Sequence, residues 1–122
     1  MKREPDLLRS ILLFIEEHVP PQGGLNEPLA IADYDRTTVM AHAELLIDDG
    51  LVDGKVMKGT GGIQELMIVR LTNAGHDAIA AIRNDTMWHK AKKAGVEKGA
   101  SLTFGLLVEV LKAEGRKHLG LL

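Results

Sequence analysis

Residues 36–58 hold the side chains whose types and spacing could contact a nucleic acid. If a helix begins near residue 35, its first turns present an arginine, a threonine, a methionine and a histidine, and a lysine follows in the next segment. These five candidate residues are Arg36, Thr37, Met40, His42 and Lys58. The first turns of a recognition helix contact base edges, and a lysine at the tip of a wing contacts phosphates. The pattern therefore predicts a surface for duplex DNA.

Other residues of the same helix, and the distribution of charge, oppose that interpretation. Met40 and Ala41 offer a base little beyond a methyl contact, and Glu44 repels phosphates. Residues 1–35 hold three Lys or Arg against seven Asp or Glu, whereas residues 83–122 hold eight against four. A DNA-binding protein concentrates positive charge around the helix that contacts the bases. A core helix with a solvated outer face therefore remains the alternative.

The residue types that carry catalysis or bind metals form no local pattern. No two of the five histidines are three or four residues apart, so they make no local metal site. Neither serine has the glycine neighbours of a nucleophile turn, and no carboxylate pair stands out as acid and base. The stretch "MKGTGG" lacks the nucleotide-binding pattern. We therefore expect no enzyme, no cofactor, no metal and no small-molecule substrate.

The composition predicts one globular domain inside the cell. The chain has 122 residues, of which 45% are hydrophobic and 26% charged, and it carries a net charge of −2. This length and balance are enough to bury a core. The absence of cysteine fits a reducing cytoplasm. Charged residues interrupt the apolar residues near the N-terminus, so we expect no signal peptide and no membrane span.

Apolar spacing, prolines, glycines and capping residues predict the order of the elements. The predicted elements are a helix over residues 5–18, a loop over 22–34 in which only 29–32 could form a short strand or a helical turn, a helix from Asp35 to Gly50, strands over 51–58 and 63–71, a helix after Thr72, a helix from about residue 85 to Gly95 or Gly99, and a last helix from Ser101 to Leu119. The inner stripe of the second helix is predicted to be Val39, Ala43, Leu46 and Ile47.

This order predicts an α+β fold, namely a winged helix with a two-stranded wing hairpin and a C-terminal helical extension. Residues 1–122 are expected to form one domain, with the winged-helix core at residues 1–83 and the extension at residues 84–122. A clear first helix of the helix-turn-helix is missing, because "NEPLAIADY" is short and contains Pro28. The fold alone implies no function.

Several stretches resemble known families. "TTVMAHAELLIDDGLV" resembles the recognition helix and following strand of the arsenic-repressor and multiple-antibiotic-resistance regulator families, and "RLTNAGHDAI" resembles the end of their wing. Over most of the chain, "MKREPDLLRSILLFIEE", His42 followed by "LL" and "GLV", and "LTNAGHDAIAAIRNDTMWHKAK" resemble domain-of-unknown-function family 2513. That family contains small bacterial and prophage proteins with no established activity. The resemblance implies the fold and leaves the function open.

The C-terminal segment predicts self-association. The stretch "SLTFGLLVEVLKAEG" has apolar residues around most of a helix, so one side can pack on the first helix and the other on a second copy. The alternative is that the core of the same chain covers both sides. In "RNDTMWHKAKK" the tryptophan is interpreted either as a docking residue or as the closure of one end of the core. The predicted interface residues are Trp88, Phe104, Leu107, Val108 and Leu111.

Two functions are compatible with the sequence. The first is a cytoplasmic winged-helix regulator, related to prophage proteins, that binds duplex DNA as a homodimer. The second is a winged helix used as a protein-interaction or dimerisation module without DNA binding. The order of the motifs favours the first, and the charge around the second helix favours the second.

Overall fold

The computed structural model describes residues 1–97 and 103–120. The chain divides into two compact units, Met1–His76 and Asp77–Leu122. Within the described residues the fold is α+β, with five helices and one two-stranded antiparallel hairpin, as the sequence predicts. The helix ends predicted at Gly99 and Ser101 lie outside the described residues.

Helix α1 (Pro5–His18) supplies much of the core of the first unit. Proline at the first helical position has a suitable φ and lacks an N–H that would be unpaired there. The apolar residues recur on one face, which is buried against α2 and β2. These buried residues are Leu7, Leu8, Ile11, Leu12 and Ile15. The helix ends before Pro20, and its predicted bounds are confirmed.

Residues 19–35 form a long loop that contains neither a helix nor a strand. The loop predicted over residues 22–34 is therefore confirmed, and residues 29–32 form neither the short strand nor the helical turn that the sequence allowed there. The loop leans on strand β2 (Gly62–Leu71), where the Leu25 N–H donates to the Ile68 carbonyl at 2.9 Å. A Cβ at Gly24 would lie 2.7 Å from the same carbonyl oxygen, so only glycine permits this approach.

Helix α2 (Arg36–Asp48) begins and ends at the predicted residues. The Asp35 carboxylate accepts a hydrogen bond from the Thr38 N–H at 2.7 Å, which satisfies one of the free donors of the first turn. At the other end Gly50 has a φ of 77°, a left-handed conformation that glycine adopts without strain. The first and last turns of α2 are thus fixed by local chemistry.

The hairpin consists of β1 (Val52–Gly59) and β2, joined by a two-residue turn. Gly59 pairs with Gly62, which has a φ of 112° that other residues rarely adopt. Each strand extends one residue further into "GTGG" than predicted. Irregularities in the pairing occur between Asp53 and Gly54 and between Met57 and Lys58. One face of the hairpin, including Ile68, is turned to the core, and the other is exposed.

Thr72 joins the base of the hairpin to the end of α2. Its hydroxyl donates to the Gly50 carbonyl at 2.6 Å and accepts from the Gly75 N–H at 3.0 Å, while its own N–H donates to the Leu51 carbonyl at 3.0 Å. A Cβ at Gly75 would collide with the Leu51 carbonyl. The predicted cap at Thr72 is confirmed, and it also holds the strand ends together.

The second unit contains most of α3 (Asn73–Ile82), α4 (Asp85–Glu97) and α5 (Phe104–His118). Helix α4 continues through Gly95, where the sequence predicted an end. Thr103 caps α5, because its hydroxyl oxygen accepts from the Leu106 N–H at 3.1 Å. The rings of Trp88 and Phe104 lie 6.0 Å apart and join α4 to α5.

The order α1, α2, β1, β2, α3 is consistent with a winged-helix-like fold. The departure is the loop of residues 19–35, which stands where a helix-turn-helix has its first helix. In that motif the first helix crosses the DNA backbone and the second enters the major groove. The hairpin and α2 are therefore present without that partner helix.

Candidate interaction surface of the second helix and the hairpin

The start of α2 lies beside the hairpin. Arg36 and Thr37 are exposed on the first turn, as the DNA-contact prediction requires. The Arg36 guanidinium donates to the Gln64 carbonyl of β2 across 3.5 Å, at the outer limit of a hydrogen bond. One continuous surface therefore includes the first turn of α2 and the neighbouring strand.

Met40 and His42 are not part of that surface, because both side chains are buried. His42 is fully buried and has a partner at each ring nitrogen: Nε2 accepts from the Glu4 N–H at 3.0 Å, and Nδ1 donates to the Thr38 carbonyl at 2.9 Å. A carbonyl only accepts, so the proton of the neutral ring is on Nδ1. Their assignment as base contacts is corrected: Met40 fills the core, and His42 holds the start of α1.

Lys58 is exposed near the tip of the hairpin, but its charge is already paired. Its Nζ lies 2.9 Å from a carboxylate oxygen of Glu44 on α2. The hydrogen bond that Lys58 donates to Glu44 and the negative charge of Glu44 raise the pKa of Lys58, with a further contribution from Asp48. A phosphate at this position would have to displace Glu44. The two residues that the sequence analysis treated as opposing influences on DNA thus bind each other.

The surface as a whole is acidic. Residues 33–70 contain seven Asp or Glu and four Lys or Arg. Besides Lys58, one more of these cations is paired, because Arg70 lies 3.0 Å from the Asp53 carboxylate. Affinity for duplex DNA depends mainly on cations at its phosphates. The electrostatics of α2 and the hairpin therefore oppose DNA binding.

The outer face of the hairpin is apolar at its centre, a feature that the sequence analysis missed. Met57 and Met67 are each 60% exposed, and Val69 is 40% exposed. The register places the two methionines on one face, because Met57 is opposite Glu65 and Met67 is opposite Lys55. Val69 follows Met67 by two residues, at the irregularity beside the Asp53–Arg70 pair. The alternation of residues along "IQELMIVRL" contained the signal, since residues two apart in a strand share a face.

The five residues predicted as an interface in the second unit are buried within the protein itself. Trp88 is fully buried on α4, and the apolar side of α5 that faces the core holds Phe104, Leu107, Val108 and Leu111. These side chains form the core of the unit and are not available to a second copy. The exposed apolar residues of α5 are instead Leu106 and Val110.

Two further features concern metal-ligating side chains and membrane-spanning helices. Over residues 1–97 and 103–120, no three histidine, aspartate or glutamate side chains come close enough to hold a metal ion. In the same part of the chain, every helix is too short or too polar to cross a lipid bilayer. His18, for example, is bonded through Nδ1 to the Phe14 carbonyl at 2.9 Å and stacks on the Phe14 ring.

The comparisons with known proteins agree with the resemblance in the sequence. A family described as "Hypothetical protein (DUF2513)" matches residues 2–101. A curated relative from Haemophilus influenzae, named "Uncharacterized protein", is 33% identical over 112 residues, which cover 90% of this chain and 92% of the relative. No solved structure matches the chain. The chain belongs to the DUF2513 family, and the family resemblance is confirmed.

Proposed function

We propose that this member of the DUF2513 family is a winged-helix-like interaction module that self-associates through the outer face of its hairpin. The observation that carries the proposal is the exposed pair of Met57 and Met67 on one face of the two strands, with the exposed Val69 two residues further along β2. Contiguous exposed apolar residues rimmed by polar ones mark interaction sites, and methionine is enriched at such interfaces.

The position of the two methionines supports a packed contact. Met57 and Met67 are diagonal neighbours across the strands, because each pairs with the residue two positions from the other. Diagonal side chains on one sheet face are close enough for long side chains to touch. Val69 continues the apolar group along β2. A partner that covered these three side chains would remove them from water together.

The charges beside the methionines favour a second copy as the partner. Lys55 is opposite Met67 and Glu65 is opposite Met57, so the face has one cation and one anion around its apolar centre. In a twofold symmetric interface the same patch must complement itself. A twofold axis that lies in this face along the Met57–Met67 diagonal places Lys55 of one copy toward Glu65 of the other.

Sedimentation velocity of the full chain at high micromolar concentration tests the proposal. We expect the wild type to sediment as a dimer and Met67→Lys as a monomer, because the introduced ammonium would have to be desolvated at the interface. Val96→Lys is the matched control, since Val96 is 78% exposed on α4, which belongs to the second unit. A monomeric wild type, or a dimeric Met67→Lys variant, would contradict the proposal. Circular dichroism confirms that both variants are folded.

A second candidate function is contact with duplex DNA, favoured by the exposed Arg36 and Thr37 beside the hairpin. On that hypothesis Arg36→Ala removes base preference at a cost of about 1 to 3 kcal/mol. Lys58→Ala weakens binding to all duplexes alike and reduces the salt dependence. The acidic surroundings and the Glu44–Lys58 pair make this the weaker candidate.

Gel retardation of mixed genomic fragments at low salt separates the two functions. For an interaction module, the wild type retards nothing, whereas Glu44→Lys retards DNA because it releases Lys58 and adds a second cation. Glu17→Lys gives a control with the same change of charge at an exposed residue of α1 that no described ion pair involves. Retardation by the wild type, lost in Arg36→Ala, would favour the DNA-binding regulator instead.

A further inference from the structure

A cavity of about 430 Å³ lies between the loop of residues 25–31, the first turns of α2 and the core-facing side of β2. We propose that this cavity is a binding site for a small apolar carboxylate. The volume falls in the range of small-molecule sites, which are roughly 300 to 1,000 Å³. Such a site lies on the opposite face of β2 from the proposed self-association surface and does not depend on it.

The cavity exists because the loop replaces a helix. A helix between α1 and α2 would bring a regular row of side chains against α2, whereas the loop supplies only a few. Its wall is therefore built from Leu29 and Ile31, and its floor from Val39, Met40 and Ile68. The floor residues are nearly inaccessible to solvent. The half-buried wall residues Leu29 and Ile31 still expose apolar atoms, which a ligand in the cavity would remove from water.

The loop wall is held in place without a ligand. The Leu25 N–H donates to the Ile68 carbonyl at 2.9 Å, and Gly24 permits the close approach to the same carbonyl. The cavity is thereby formed before binding, and a ligand need not bear the cost of ordering the loop there. Ile68 takes part in both, because its side chain lines the floor and its carbonyl accepts the hydrogen bond from Leu25 that holds the wall.

Arg36 determines the charge of the ligand. It lies one turn before Val39 and Met40 on α2 and, as an exposed residue, lines the cavity beside them. Its 3.5 Å contact with the Gln64 carbonyl is weak, and a carboxylate can accept two parallel hydrogen bonds from a guanidinium. Tyr34 adds a phenol at the same cavity.

Two further polar groups lie at the cavity, the phenol of Tyr34 and the carboxylate of Glu27. Burial, with the carboxylates of Glu4, Asp6 and Asp33, raises the pKa of Tyr34, so its hydroxyl remains a hydrogen-bond donor. Glu27 is an exposed carboxylate on the loop side and would favour an amine. Because Arg36 is anchored on the helix that forms the floor and Glu27 is on the loop, we assign the anionic ligand.

The experiment is a nuclear magnetic resonance titration of the full chain with phenylbutyrate and, separately, phenylbutylamine, which share an apolar body. We expect phenylbutyrate to give saturable shifts at Val39, Met40 and Ile68, and to bind at least about tenfold tighter than the amine. Arg36→Gln should weaken the carboxylate about tenfold and leave the amine unchanged.

Two alanines of the same loop give matched variants. Ala30 lines the cavity and is exposed, so Ala30→Phe fills the site from its rim without disturbing the core. Ala32 is also exposed but does not line the cavity, so Ala32→Phe should bind phenylbutyrate as the wild type does. We expect Ala30→Phe to abolish the saturable shifts.

Three results would overturn the site. The first is the absence of saturable shifts with phenylbutyrate at about 10 mM, a concentration above the Kd expected for a ligand of this size. The second is equal binding of phenylbutylamine, and the third is unchanged binding of phenylbutyrate by Ala30→Phe. None of these measurements requires DNA or self-association. The ligand site and the proposed function can therefore fail separately.

Discussion

Helices α2 and α5 are similar in length and in how they begin, but they differ in what they expose. Asp35 caps α2 and Thr103 caps α5, each by accepting a main-chain N–H bond. The outer face of α2 is polar, whereas α5 exposes Leu106 and Val110, at 50% and 42%. The two helices therefore have the same kind of N-terminal cap but different exposed surfaces. The cap alone does not indicate which face of a helix binds a partner.

The comparison shows where apolar spacing identifies the buried face of a helix and where it does not. In α2 the polar residues leave one apolar side, and the predicted Val39, Ala43 and Leu46 are buried. In α5 apolar residues occur on both sides, so spacing is compatible with two opposite orientations. The sequence analysis assigned the core-facing side, including Leu107, to the interface. Packing against α4 determines the orientation that the structure has.

The largest expected effect tests the orientation of α5. Leu107→Glu should destabilise the second unit by about 4 kcal/mol or more, because it places an unpaired carboxylate in the core. Leu106→Glu on the exposed side should change stability by less than about 0.5 kcal/mol. Denaturant unfolding followed by Trp88 fluorescence measures both, since Trp88 is the only tryptophan. Equal losses would mean that the orientation of α5 is incorrect.

The next effect tests α2 in the same way. Leu46 is fully buried, so Leu46→Ala should cost about 2 to 5 kcal/mol through lost contacts and the cavity left behind. Glu44→Ala, two residues earlier on the outer face, should cost little, because an exposed ion pair contributes little to stability. Far-ultraviolet circular dichroism during a urea titration compares the two variants. A large loss in Glu44→Ala alone would reverse the assignment of the faces.

A smaller effect tests whether His42 is structural. His42→Ala should cost about 1 to 3 kcal/mol, because it removes a fully buried side chain and the partly buried Glu4 N–H loses its acceptor. His76→Ala is the matched control, since His76 is exposed on α3. Amide hydrogen exchange at the first turn of α1 should accelerate in His42→Ala and remain unchanged in His76→Ala. Unchanged exchange in both variants would contradict the role of His42.

The smallest effect concerns the cap of α2 and its dependence on pH. The Thr38 N–H, with the Thr38 hydroxyl, lowers the pKa of Asp35 below its ordinary value of about 4. Because this pKa is lower in the folded protein than in the unfolded chain, the ionised cap stabilises the fold at pH values above the unfolded-state pKa. This stability is lost as the pH falls through the folded-state pKa. Asp35→Asn keeps the cap but should lose less stability than the wild type as pH falls below about 4. Parallel urea titrations across this range check the difference, and identical curves would contradict it.

The sequence predicted the elements more completely than it predicted the site. Proline, glycine and capping residues act locally, so the bounds of α1, α2 and the hairpin follow from neighbouring residues. The burial of His42 could not be inferred in this way, because its hydrogen-bond acceptor role involves Glu4, 38 residues earlier in the chain. The pairing of Lys58 with Glu44 likewise depends on how the hairpin packs on α2. Long-range contacts determined which candidates remained on the surface.

The outer face of the hairpin was predictable in principle and was missed for a different reason. Alternation along β2 places Met67 and Val69 on one side of the strand, but it does not indicate which side is buried. The loop contact at Ile68 settles that choice, because Leu25 and the core occupy the other side. Identifying the exposed face of β2 therefore required the position of the loop of residues 19–35, which has no regular secondary structure.

The junction at Thr72 has a consequence for how this hairpin can vary among relatives. Both strand ends are bonded at the base through Gly50 and Leu51, so the register is set there and not at the tip. At the tip, a Cβ on Gly61 would meet no neighbouring atom within 4 Å. Doubling the length of a flexible loop costs only about 0.6 kcal/mol. Insertions at the tip should therefore be tolerated during evolution, whereas any side chain at Gly75 should be selected against.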